Sequence, residues 1–249
     1  MGTQTLNNNR DNGSNLTQAE TVRIGLESDI LTGRLAPGSV IDETATAKQF
    51  GVSRTPVREA IFLLVQAGLI RKEARKRAIV AEFNADDFFG LFETLAEFEG
   101  LSARLAAVRM SRAECFELSK IHGVAAEKLL LGEIDNYAAW GRAFHSLILE
   151  GSKNTTLVKI TSELAARLIP YRRFQVSLDG GLQRNQDDHE IILAAIRSKD
   201  AEAAYHAMRK HTLEQSESVI ENIPAFPRGT PAHESSENLL QLKTGSEGR

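Results

Sequence analysis

Between residues 17 and 222, apolar side chains recur mostly at intervals of three and four, the period of helices with one buried face. The first such stretch, about 17–32, carries Val22, Leu26, Ile30 and Leu31 on one stripe, and Gly33 follows where a helix should end. Pro37-Gly38 marks a turn. A short helix is expected at 43–50, stopped by Gly51. A third should begin at Ser53, a natural N-cap, with Pro56 in its first turn. Val57, Ala60, Ile61, Leu64 and Val65 give it a buried face, and Gly68 closes it. Only the stretch from Leu69 to Phe83 alternates with a period near two, and it reads as two short strands around a basic tip. Six more helices are predicted at about 85–109, 112–131, 134–151, 155–177, 180–198 and 200–221, with Ser111, Asp135 and Asp200 near their starts. Residues 1–16 carry no such pattern and are expected to be disordered; 223–249 are expected to be a flexible tail in which "ENLLQL" could form a weak turn of helix.

The predicted fold is therefore mostly α. A winged helix-turn-helix domain, 17–83, precedes an antiparallel bundle of six helices, 84–222. In a helix-turn-helix the start of the second motif helix enters the DNA major groove. Arg54, Thr55 and Arg58 lie there, away from the apolar stripe, and the two arginines are one turn apart. Arginine pairs bidentately with guanine, and threonine touches a thymine methyl or a phosphate. Arg71, Lys72, Arg75, Lys76 and Arg77 crowd the hairpin, where they would follow the phosphate backbone or the minor groove.

Charge sharpens this division. The net charge of −3 by itself argues weakly against a nucleic-acid partner. Its distribution argues for one: residues 17–82 hold ten Lys/Arg against eight Asp/Glu, whereas 83–222 hold sixteen against twenty-one. The single cysteine, Cys115, excludes an internal disulfide framework and fits a reducing, cytoplasmic setting. No apolar run is long enough for a membrane span, and no secretory leader is expected in the first residues.

Three histidines, His145, His189 and His211, fall on three different predicted helices, each followed by apolar residues at helical spacing. Three neutral imidazoles with an open position suit Zn²⁺ or Ni²⁺. From spacing alone, bundle histidines are more often satisfied core or surface residues. His122 and His206 match no such position and are expected at the surface. Tyr171–Phe174, "YRRF", places Arg172 and Arg173 about 100° apart, so at most one is expected to face a cavity. Trp140 is expected either to line that cavity or to pack at an edge.

"GRLAPG", "GVSRTPVREA" and "AGLI" resemble the DNA-binding domain of the GntR family of bacterial transcription regulators, over roughly residues 17–83. "LFETLAEFEGLSARLAA", "AFHSLILEGSKNTTL" and "DDHEIILAAIRSKDAEAAYHAMRKH" resemble the FadR C-terminal domain, called FCD, over 84–222, and six helices suggest its VanR-like branch. The resemblance implies a homodimer that reads a palindromic operator on double-stranded DNA. Ser53, Arg54, Thr55 and Arg58 match its recognition-helix contacts. It also implies a small-molecule effector, such as an organic acid, bound beside a divalent metal held by His145, His189 and His211.

Several positions depart from the family pattern. Thr44 replaces an arginine found in some members, and Ala74-Arg75 stands where a glycine is common. Gly141 stands where the acidic metal ligand is usual, and Leu95 where many members carry an effector-binding arginine. Arg142, Arg172 and Arg173 are then the candidate effector contacts. The expected function is a ligand-responsive transcription regulator, most often a repressor in this family, and not an enzyme. The alternatives are a tri-histidine metalloenzyme, against which no HExxH stands in the chain, and an effector-independent DNA-binding protein.

Overall fold

The computed structural model describes residues 16–73, 77–82, 85–132, 137–178 and 180–223. The two expected tails, except Leu16 and Ile223, lie outside the described residues, as do the wing tip at 74–76 and Asp135. Helix α1 (Gln18–Leu31) opens with a capping box between Thr17 and Glu20 and buries Val22, Leu26 and Ile30. Helix α2 (Glu43–Phe50) is capped by Asp42, whose carboxylate accepts from the Thr44 and Ala45 amides. It ends at Gly51, which adopts the left-handed conformation that glycine alone enters without strain (φ 65°).

Helix α3 (Arg54–Gln66) packs Val57, Ala60, Ile61 and Leu64 inward. Ser53 occupies its N-cap position as expected, although its hydroxyl makes no capping hydrogen bond. The hairpin strands β2 (Ile70–Lys72) and β3 (Ala78–Val80) are present. A third strand, β1 (Val40–Ile41), pairs antiparallel with β3 and makes the order β1-β3-β2. With two residues, β1 is too short to show a periodic signal.

Six helices follow: α4 (Ala85–Arg109), α5 (Arg112–Leu130), α6 (Tyr137–Gly151), α7 (Thr155–Val176), α8 (Gly181–Arg197) and α9 (Ala201–Asn222). Ser111 and Glu114 form a second capping box at α5, and Asp200 caps α9. Two apolar cores are found among the described residues. One lies inside the bundle, around Phe144, Ile148, Ile192 and Met208. The other is continuous across both parts of the chain: Leu26, Ile30 and Leu64 share it with Phe92, Leu95, Leu168 and Tyr171. The helix-turn-helix is therefore seated on α4 and α7. Leu95, fully buried, belongs to this joint, which accounts for an apolar residue there.

Candidate functional site

Two candidate sites lie among the described residues, one in each part of the chain. On the first, Ser53, Arg54, Thr55 and Arg58 are exposed around the start of α3. Both arginines reach back to one acceptor, Glu43 Oε2 on α2, at 3.0 and 2.8 Å. The guanidiniums, Arg58 first, hold the Glu43 carboxyl below its ordinary range. Sequence reasoning missed Glu43, although an acid directly after the Asp42 cap sits at the correct end of α2 to do this. On the wing, Arg71 pairs with Glu73, and Lys72 and Arg77 are exposed; Arg75 and Lys76 lie outside the described residues.

The second site is a cavity of about 220 Å³ in the bundle. His145 from α6 and His189 from α8 line it, and His211 from α9 joins them in a cluster in which one ring nitrogen of each lies within 4.8 Å of the others. His145 Nε2 and His189 Nε2 lie 3.3 Å apart, close to the spacing of about 3 Å between two ligand atoms on one metal ion at ~2.0–2.1 Å. The neighbours fix the rings. His211 Nδ1 is 3.0 Å from Asp188 Oδ2, which leaves Nε2, 2.9 Å from the Gln215 amide nitrogen, as the ring's other nitrogen, the arrangement by which a carboxylate orients a metal-bound histidine. Phe144 stacks on His189 at 4.2 Å. Burial, followed by the neighbouring imidazoles, lowers His189 well below the usual histidine range. Burial also lowers His145, although Glu99 opposes it. Neutral imidazoles are the form that binds metal.

Glu99 on α4 is the buried anion behind this cluster. Arg172 grips it with two nitrogens at 3.0 and 2.6 Å, and Thr212 donates to it at 2.7 Å. Burial by itself would raise the carboxyl, but Arg172 and then His145 hold it well below its ordinary value. Glu99 Oε1 lies 3.5 Å from His145 Nδ1, on the side of the ring away from the contact with His189. A Cβ added at Gly141 would meet nothing nearer than His189 Cε1 at 4.0 Å, so that side of the cluster has room for a ligand.

The expectation that only one of the paired arginines faces in is corrected. Both line the cavity, because α7 forms its wall, but they are anchored differently. Arg172 turns in to Glu99, and its Nε–H has no hydrogen-bond partner among the described residues. Arg173 turns to Glu27 of α1. Arg142 is exposed at the rim. Trp140 stands edge-on to Tyr137 and is not part of the lining.

His122 is not a surface residue. It packs near Phe144, with Nε2 2.6 Å from the Gln186 amide nitrogen and Nδ1 3.3 Å from Glu190. Its polar partners come from α8, and sequence spacing could not place α8 beside α5. His206 is exposed, as expected.

The model of the GntR family of bacterial regulatory proteins matches residues 18–80, and that of the FCD domain matches residues 90–214. The chain belongs to the GntR family, with an FCD domain. It is similar to the transcriptional repressor RspR of Escherichia coli, at 30% identity over 78% of this chain and 85% of that protein. It is also similar to a probable D-xylose utilization operon repressor of Paenarthrobacter nicotinovorans, at 27% identity over 78% and 85%. Among solved structures, E. coli McbR/YncC shares the fold, with a TM-score of 0.59 and 20% identity, over 83% of this chain and 99% of that one. The GntR protein described here is a DNA-binding transcription regulator with a ligand-binding type of helical domain. No helix among the described residues is long and apolar enough to cross a membrane.

Proposed function

We propose that this regulator is a cytoplasmic repressor which binds a palindromic operator as a homodimer and is released by a small anionic metabolite. Ser53, Arg54, Thr55 and Arg58 read the groove, while Arg71, Arg75, Lys76 and Arg77 hold the backbone. The proposed working units are 17–83 and 84–222, and the six described bundle helices support the VanR-like branch.

His145, His189 and His211 would hold a divalent metal, Zn²⁺ or Ni²⁺, which supplies a positive centre for a carboxylate oxygen of the effector. The donor set fits: three buried or nearly buried imidazoles, two lowered toward neutrality and one oriented by a carboxylate. Arg142, Arg172 and Arg173 add charge to the same wall. No catalytic role is proposed, because Asp188 faces His211 and Glu190 faces His122.

One observation carries the regulatory part of this reading. Arg173 borders the cavity and also pairs with Glu27 in the DNA-binding domain. An anion that draws Arg173 toward the cavity weakens its hold on Glu27, and the seat of α1 with it. A ligand shifts such an equilibrium only by binding one arrangement better than the other. The test is to enrich duplexes from a random pool with the protein, then measure affinity with Zn²⁺ and a panel of small carboxylates. A palindromic consensus whose affinity falls with one of them supports the reading. No enrichment contradicts it.

A further inference from the structure

We infer that Gln215 is the fourth protein ligand of the metal centre, serving where Gly141 supplies no side chain. This rests on the reading of His145, His189 and His211 as metal ligands.

Gln215 lies on α9 four residues after His211, hence on the same helix face, and is 5% exposed. Its amide nitrogen is 2.9 Å from His211 Nε2. That nitrogen is the ring's ligand atom, since Nδ1 is turned to Asp188. The other end of the amide, Oε1, is buried with no hydrogen-bond partner among the described residues. Buried acceptors are nearly always paired, so one without a partner calls for an explanation.

A metal explains it. Once the His211 Nε2 lone pair is given to a cation, the amide N–H has no acceptor there. The oxygen and nitrogen of an amide occupy nearly the same space, so a half turn brings Oε1 to the position of the nitrogen. The turn carries Nε2 to the place that Oε1 leaves, and Asn185 can follow it. Asn185 Oδ1 lies 3.2 Å from Gln215 Nε2, and Asn185 Nδ2 lies 3.4 Å from the Tyr137 hydroxyl. The same half turn in Asn185 presents its N–H₂ to Gln215 Oε1 and its carbonyl to the Tyr137 hydroxyl, which then turns its proton from Leu182 O (3.2 Å) and Gln186 Oε1 (3.1 Å) to Asn185. The chain of amides that ends at His211 is thus reversible as a unit. It holds the Gln215 nitrogen toward the ring without metal and the Gln215 oxygen toward the ion with it.

The test is a Co²⁺ and Zn²⁺ titration of the full chain against a competing chelator, with the Co²⁺ absorption spectrum as a second readout. Variants are Gln215→Leu, Gln215→Glu, and Gly141→Asp combined with Gln215→Leu. The expected result is a loss of at least roughly tenfold in affinity and a changed spectrum for Gln215→Leu. Gln215→Glu should bind as tightly as the parent or more so, and Gly141→Asp should restore binding to Gln215→Leu. Parental affinity and spectrum in Gln215→Leu overturn the inference. If Gln215→Leu loses its helical circular dichroism, Gln215→Glu decides: an unchanged Co²⁺ spectrum overturns the inference, and a shifted one supports it. A parent protein that binds no metal overturns the underlying tri-histidine reading instead.

Discussion

Arg173 of the cavity wall and Glu27 of the first DNA-domain helix meet at 2.8 Å, and Glu27 is only 4% exposed. Arg23, one turn earlier on α1, pairs with the same carboxylate. A buried anion is thus shared between a cation of its own domain and a cation of the ligand cavity. Arg173→Met should destabilise the protein by about 1–3 kcal/mol. That is less than the ~3–5 kcal/mol for breaking an isolated buried pair, because Arg23 stays on Glu27. Denaturant unfolding of Arg173→Met, Glu27→Gln and the double variant checks this. The double variant should cost less than the sum of the two, and strict additivity would show that the pair is not coupled.

Arg54 and Arg58 are held on Glu43 in the absence of DNA. Arg58→Ala should cost about 1–3 kcal/mol of operator binding and relax preference at one base pair. Glu43→Gln should act in the opposite sense on non-specific DNA, because it removes a negative charge beside the phosphates and frees both arginines. Anisotropy titrations with operator and scrambled duplexes should show the ratio of the two affinities narrowing.

Much of this was legible in the sequence because helices and caps are local. Val22, Leu26 and Ile30 mark a buried face by spacing alone, and Gly51 marks a helix stop by its backbone freedom. What stayed hidden depends on which helices touch. Glu99 and Asp188 are ordinary acids in the sequence. They acquire roles only because α4 and α8 bring them to His145 and His211. The Glu27–Arg173 pair spans 146 residues, and no periodicity predicts it. Gln215 was the exception that could have been found, since a polar residue four places after His211 must share its face.

Gly51→Ala should destabilise the helix-turn-helix by roughly 1–2 kcal/mol, the cost of the left-handed conformation for a residue with a Cβ. Nothing lies within 4 Å of that Cβ, so the effect is one of backbone alone. A thermal melt that matches the parent would contradict it.

Helix α5 leaves Phe116 and Val124 exposed eight residues apart, and Leu131 follows seven residues later. The proposed homodimer is expected to use this face, and a two-fold axis would bury the same residues twice. Phe116→Glu with Leu131→Glu should give a monomer in sedimentation velocity and lose affinity for the full palindrome. A dimer that survives both changes would place the interface elsewhere.

If the bundle is a metal-centred sensor, the purified protein carries the ion. The most direct test is metal content per chain, by mass spectrometry, on untagged protein purified without chelator, beside His189→Ala. The expected result is about one zinc or nickel ion per chain in the parent and none in the variant. Metal-free parent protein, or equal metal in both, would contradict it.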